Sequence, residues 1–309
     1  MSDAPPPTPT NDDLPPVCDY EGSDYQQRFW EEGGRAYEDG AEAVALRHLL
    51  PRQGGERLLE IGAGAGRNTP RYHGYRQIVL LDYSRTQLRQ AQARLGRSER
   101  YLFVAANAYT LPFADGTFTA ATMIRTLHHI AEPPRVLRET RRVLRPGGVF
   151  ILEFANKRNL KAIVRYLVRA QTWNPFSPEP VEFAPLNFDF HPRQIFAWLD
   201  EAGFRVEAIR TVSHFRVGLL KRWVPTRVLV ALDALAQPTG RWWQLSPSVF
   251  LRARAVGEGA PAEAVGLFRC PRCGHAPLHE TATALVCPGC GARWGVHDSI
   301  YDFKAPLDG

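Results

Sequence analysis

One stretch limits the fold more than any other: Leu58-Leu59-Glu60-Ile61-Gly62-Ala63-Gly64-Ala65-Gly66-Arg67-Asn68. Its apolar start suits a buried parallel strand. Three alternating glycines follow, after which a helix can start. A glycine turn between strand and helix admits a ligand close to the backbone, because no Cβ blocks it. The helix N-terminus beyond it offers free N–H groups and a positive dipole end. The stretch therefore reads as a nucleotide-type site. A dinucleotide fingerprint would run G-x-G-x-x-G. Here the third glycine comes one residue early, Arg67 stands in its place, and Glu60 precedes the first glycine by two. A carboxylate there suits a cationic ammonium better than a pyrophosphate.

Twenty residues after Gly62, Asp82 closes a second apolar strand, Ile78-Val79-Leu80-Leu81-Asp82. A carboxylate at that place can accept from both hydroxyls of a ribose. The pattern Glu-x-Gly-x-Gly-x-Gly, with Asp82 at this distance, resembles the first motif of class I S-adenosylmethionine-dependent methyltransferases.

The chain downstream alternates strand and helix. Ser84 is placed to cap a helix carrying Leu88, Ala91 and Leu95, with Gly96 at its end. Tyr101 to Ala105 reads as a strand, Thr119 to Ile124 as another, Pro134 to Leu144 as a helix, and Val149 to Phe154 as a fifth strand. Between the last two, Arg145-Pro146-Gly147-Gly148 reads as a turn. The expected fold class is α/β: a doubly wound, mostly parallel, Rossmann-like sheet. Ligands of such sheets bind beyond the strand C-termini. The polar breaks at Glu60 to Gly66, Asp82, Asn107, Arg125 and Glu153 all fall there.

Residues 55–155 resemble the methyltransferase family that includes the quinone-biosynthesis enzymes. The matches are the glycine motif, Asp82, Leu111-Pro112-Phe113, Leu127-His128-His129 and Leu144-Arg145-Pro146-Gly147-Gly148. The resemblance implies S-adenosylmethionine as cofactor. It implies a binding set of Glu60, Gly62, Gly64, Gly66, Asp82, Tyr83, Asn107, Ala108 and Arg125. Asn107 replaces the family's usual Asp toward the adenine amino group, and its carbonyl oxygen can still accept. Arg125 stands where the methionine part is contacted, and serves either its carboxylate or the substrate. His128 and His129 are the candidate general bases, because histidine titrates near neutral pH. Tyr37 is a candidate for positioning the acceptor. That acceptor is expected to be a small or lipid-like molecule. The alternatives are tRNA or rRNA, or a non-catalytic module that binds cofactor or partner.

Composition divides the chain further. Residues 1–17 are rich in Pro, Asp and Thr and read as a disordered tail. Residues 18–256 form the methyltransferase domain, with 156–245 as a lid or substrate region. Tyr25, Phe29, Trp30 and Tyr37 suggest a helical cap over the pocket, or packing on the sheet edge. The stretch 214–243 is the candidate for substrate or membrane-surface contact, with a lid helix packed on its own domain as the preferred reading. Net charge is +6; residues 1–40 carry −8, so the remainder carries +14. A basic body favours an anionic partner such as RNA or acidic lipid. No apolar run reaches the roughly 18 residues of a membrane span. The N-terminal stretch lacks a basic region followed by an apolar core, so the expectation is a cytoplasmic protein.

A linker at 257–266 leads to residues 267–309. There Cys270-Pro-Arg-Cys273 and Cys287-Pro-Gly-Cys290 are separated by 13 residues. Two Cys-x-x-Cys turns make a closed S4 site for a structural zinc. The tail resembles the small zinc-ribbon proteins that activate tRNA and protein methyltransferases, although Ser299-Ile300-Tyr301 stands where that family reads Gly-Ile-Pro.

Overall fold

The computed structural model describes residues 14–23, 30, 32–257 and 266–307. Helix α1 (Ala36–Leu49) precedes strand β1 (Gly55–Ile61), and β2 (Tyr75–Asp82), α2 (Arg85–Leu95), β3 (Tyr101–Ala105), β4 (Phe118–Met123), α3 (Pro133–Val143) and β5 (Leu144–Ala155) follow. Ser84 caps α2 by accepting the Gln87 N–H at 3.2 Å. The five strands run parallel in the order β3-β2-β1-β4-β5. Each is buried on both faces, which explains their near-continuous apolar runs.

Three local expectations are corrected. The glycine loop does not lead into an α-helix: only a short 3-10 turn, Thr69–Arg71, stands between β1 and β2. Pro70 and Gly74 in that thirteen-residue connection leave no room for a crossover helix. The Arg145–Gly148 turn lies inside β5, as an irregularity opposite Phe118 and Ala120. Leu14 and Val17, assigned to the tail, pack on the core, and residues 1–13 lie outside the described set.

Beyond β5 come α4 (Leu160–Leu167), the hairpin β6 (Val181–Ala184) and β7 (Asn187–Asp189), α5 (Pro192–Glu201), β8 (Phe204–Val212), α6 (Gly218–Trp223), α7 (Thr226–Ala236) and β9 (Ser248–Ala255). Strand β9 runs antiparallel between β5 and β8. Helix α7 packs on α1 by one face, where Leu229 and Asp233 are buried; α6 buries no residue.

The C-terminal strands β10 (His279–Glu280), β11 (Ala284–Val286), β12 (Arg293–His297) and β13 (Ile300–Asp302) continue the same sheet. Strand β13 pairs parallel with β3, Ile300 opposite Phe103 and Asp302 opposite Ala105. It thereby covers an edge whose N–H and C=O groups would otherwise be open. Phe268 anchors the joint, its ring 6.0 Å from Phe113, 4.8 Å from Tyr301 and 5.2 Å from Phe303. Leu267 O accepts from Ala114 N–H at 3.0 Å, and Pro112 O from Arg269 N–H at 3.1 Å. The Leu111-Pro112-Phe113 motif is thus the seat of the ribbon. The proposed linker falls mostly on residues 258–265, outside the described set.

Candidate active site and metal centre

The C-terminal ends of β1, β2, β3 and β4 open onto one cavity. It is lined by Glu60, Gly62 and Gly64 from the first loop, by Asp82 and Tyr83, by Asn107 and Ala108, and by Arg125 and His129. Two predicted residues do not line it. A Cβ on Gly66 would lie 3.0 Å from Leu95 and 3.3 Å from Ala91, so this glycine serves the close packing of the loop on α2. His128 lies beside His129 with ring centroids 4.0 Å apart. Burial, and then the neighbouring His129 and Arg125, drive its pKa well down. Gly64 is the opposite of Gly66: at φ +53° a Cβ there would meet only Gln87 Oε1, at 3.9 Å, which leaves the approach that a ligand lying on the backbone requires.

Asp82 is set by the loop it faces. Its Oδ2 accepts Gly64 N–H at 2.8 Å and its Oδ1 accepts Ser84 N–H at 2.9 Å. The Tyr83 N–H also bonds this carboxylate, which still has lone-pair capacity for a further donor. Burial pushes its carboxyl up, against the pull of these N–H groups. Glu60 is also buried; it accepts from Thr69 Oγ1 at 2.6 Å and Tyr72 Oη at 3.1 Å. Burial pushes it up to about 7, and the two hydroxyls only moderate this. Asn107 Oδ1, the expected adenine contact, accepts Tyr109 N–H at 3.0 Å and so also holds its own turn.

Arg125 lines the cavity and is also held from behind. Its guanidinium is engaged by Glu42 of α1, with Nε at 2.8 Å and Nη2 at 2.5 Å from Oε1. Arg67 takes the other oxygen of Glu42 at 2.7 Å and also pairs with Asp39. Burial pushes the Glu42 carboxyl up, but Arg125 and Arg67 outweigh it and hold it below the usual range. Trp30 covers this cluster, its ring centroid 3.5 Å from the Arg67 guanidinium carbon. Tyr37 is corrected: it is buried between α1 and α7, donating to Asp233 at 2.6 Å and accepting Phe215 N–H at 2.9 Å. Of the aromatic cap, Trp30 lines the cavity, while Tyr25 and Phe29 lie outside the described residues.

The wall that sequence reasoning missed is the strap Pro16, Val17, Cys18 and Tyr20. Glu21 pins it to the start of α2 by accepting from Arg85 N–H at 2.9 Å and Thr86 Oγ1 at 2.6 Å. The only sequence signal was a few apolar residues at the end of a polar tail. The strap delivers Tyr20 to His129. His129 Nδ1 lies 3.0 Å from Leu186 O, which can only accept, so Nδ1 carries the proton. Nε2 then carries the lone pair, which accepts from Tyr20 Oη at 3.1 Å. Burial lowers the His129 pKa, which keeps the ring neutral.

In the ribbon, the sulfurs of Cys270, Cys273, Cys287 and Cys290 lie within 4.8 Å of one another. Cys270 and Cys290 are 3.8 Å apart, Cys273 and Cys287 3.4 Å. Tetrahedral zinc with Zn–S of about 2.3 Å requires S···S edges of about 3.8 Å, so the set fits that ion. Gly274 and Gly291, both at φ +74°, turn the N–H groups of His275 and Ala292 onto the second sulfur of each pair.

A methyltransferase-domain family matches residues 59–152. The demethylmenaquinone methyltransferase of Clavibacter sepedonicus is 30% identical over 212 residues, covering 64% of this chain and 80% of that protein. The 27-O-demethylrifamycin SV methyltransferase of Amycolatopsis mediterranei is 29% identical over 134 residues, covering 41% of this chain and 49% of that one. Among solved structures, an S-adenosylmethionine-dependent methyltransferase of Mesorhizobium loti matches with a TM-score of 0.52 at 21% identity, over 69% of this chain and 97% of that one. The [4+2]-cyclase SpnF matches at 0.50 and 23%, over 71% and 82%. The solved structures establish the fold alone.

Proposed function

Because the chain belongs to the class I S-adenosylmethionine-dependent methyltransferases, we propose that its acceptor is a small or lipid-like molecule carrying a phenolic or hydroquinone-type hydroxyl. The observation that carries this reading is the setting of His129, whose Nδ1 faces the Leu186 carbonyl and whose Nε2 lone pair is thereby held toward the cavity. The names of the relatives, a demethylmenaquinone and a demethylrifamycin methyltransferase, support the acceptor class.

The cofactor supplies an electrophilic methyl group on a sulfonium and leaves as a neutral thioether. The chain's own residues orient and deprotonate. Asp82 would accept from ribose hydroxyls, and Gly64 would let the ligand lie on the backbone, while Gly62 makes room for the Thr126 side chain. Asn107 and Ala108 would flank the adenine side, with Tyr83 beside them, and Glu60 would face the ammonium. An acceptor hydroxyl that takes the place of the Tyr20 phenol donates to His129 Nε2. The oxygen forms the bond to the methyl group and His129 holds the released proton; when the activated ring carbon forms it instead, that carbon then gives up its hydrogen as a proton to water and His129 returns its proton to the oxygen. One base thus serves O-methylation and C-methylation of the same acceptor class. We assign a structural zinc to the four cysteines; with no open coordination position it takes no part in transfer.

The test is transfer of labelled methyl from S-adenosylmethionine to a short-chain demethylated hydroquinone. The wild type is expected to label it, and His129→Ala to slow transfer about a hundredfold or more with cofactor affinity unchanged. Full activity of His129→Ala refutes the role of that residue. Failure to label any hydroquinone or phenol refutes the acceptor class.

A further inference from the structure

Helix α4 starts five residues after β5 ends, on the edge of the sheet that carries the cavity. It is short but sharply divided. Asn159 caps it, its Oδ1 accepting Ala162 N–H at 3.0 Å. Ala162 is its one buried residue, and Ile163 and Tyr166 lie half-buried beside it. Leu160, Val164 and Leu167, at helical spacing, face outward with Val168, and Leu167 is 70% exposed. Lys161, Arg165 and Arg169 form the next stripe, also exposed. The helix thus lies on the protein by one face and presents an apolar stripe with a basic shoulder to the outside.

The stripe does not end with the helix. Leu160 N–H donates to Leu245 O at 2.8 Å, and Asn156 Nδ2 donates to Gln244 O at 2.9 Å. These bonds join α4 to Trp242 and Trp243, which are 69% and 56% exposed. The charge of this surface is mainly positive, although Lys157 is buried beside the exposed Glu179 and Lys221 pairs with Glu38. Residues 156–173 and 217–245 contain nine Lys or Arg and one acid, Asp233. Asp233 is fully buried, bonded to Tyr37 and His214. No described helix is long and apolar enough to cross a membrane.

We propose that α4 and the Trp242–Leu245 segment dock this protein on an anionic lipid bilayer, lying in its interface. An apolar stripe with a cationic shoulder is the pattern of an interfacial helix, and tryptophan prefers the headgroup level. The exposed cations Lys161, Arg165 and Arg169 along the shoulder select an anionic surface. Docking by this face turns the cavity edge of the sheet toward the bilayer, from which an apolar acceptor would arrive. The surface is separate from the cavity lining, so docking holds whichever acceptor the cavity takes.

The test is co-sedimentation of the full chain with vesicles of phosphatidylcholine alone and of phosphatidylcholine mixed equally with phosphatidylglycerol. The wild type is expected to bind the anionic vesicles, less so as salt rises. Lys161→Ala with Arg165→Ala is expected to weaken binding about 25-fold, each cation being worth roughly fivefold at such a surface. Val164→Glu with Leu167→Glu should weaken it at least about tenfold. Both variants alter exposed positions, so melting temperature and S-adenosylmethionine affinity, read alongside, should stay at wild-type values. Absence of wild-type binding to anionic vesicles overturns the proposal, as does binding that both variants retain. Loss of self-association or of tRNA binding in the variants, without any vesicle binding, also overturns it and assigns the face to a second copy or to RNA.

Discussion

Glu60→Gln isolates the energetic cost of placing a carboxylate under the cofactor cavity. Burial raises this group from 4.5 to about 7. Between those values the native state keeps a proton that the unfolded chain releases. Stability therefore falls as pH rises through this window, being highest below 4.5 and lowest above 7. At 1.36 kcal/mol per unit the loss is about 3 kcal/mol in all, most of it between pH 5 and pH 8. A glutamine side chain at this position keeps the size and the hydroxyl partners without the titration. Urea unfolding at several pH values should show the wild type losing about 2 to 3 kcal/mol relative to Glu60→Gln across that range. Cofactor binding should run the other way. An ammonium opposite Glu60 favours the anion, so wild-type affinity should rise with pH through about 7 and release a proton on binding. Calorimetry in two buffers of different ionisation enthalpy reads that proton directly. A stability difference that does not change with pH refutes the account of Glu60. So does cofactor binding without proton release near pH 7.

Asp82→Ala should weaken S-adenosylmethionine binding roughly tenfold or more through loss of charge-assisted hydrogen bonds; unchanged affinity in a titration would remove Asp82 from the site. Metal analysis should find one zinc per chain, and Cys270→Ser with Cys287→Ser should abolish it and lower the melting temperature, since β13 and Phe268 tie the ribbon to the sheet. A chain without zinc, or a double variant that retains it, would refute the metal assignment.

What the sequence made legible is what short-range pattern encodes. Apolar runs marked the strands, Ser84 and Gly96 bounded α2, and two Cys-x-x-Cys pairs marked the S4 cluster. Glycine spacing with Asp82 located the cavity because strand ends gather at one sheet edge. What it hid depends on partners far away in the chain. Arg125 is engaged by Glu42, eighty-three residues earlier, and Tyr37 by Asp233, 196 residues later. No local pattern announces either pair. Of the strap, Pro16 and Val17 were read as tail because so short a segment buries little surface, although it buries that little against the site. The ribbon was legible as a unit, but its seating on β3 depends on an open strand edge and on Phe113, which only the assembled sheet presents.

The most direct test of the central claim is calorimetric titration of the purified chain with S-adenosylmethionine and S-adenosylhomocysteine. The account predicts that both bind one per chain, with dissociation constants in about the micromolar range, and that both weaken together in Asp82→Ala. Binding of neither ligand would contradict the assignment of the glycine loop, Asp82 and Asn107 to this cofactor.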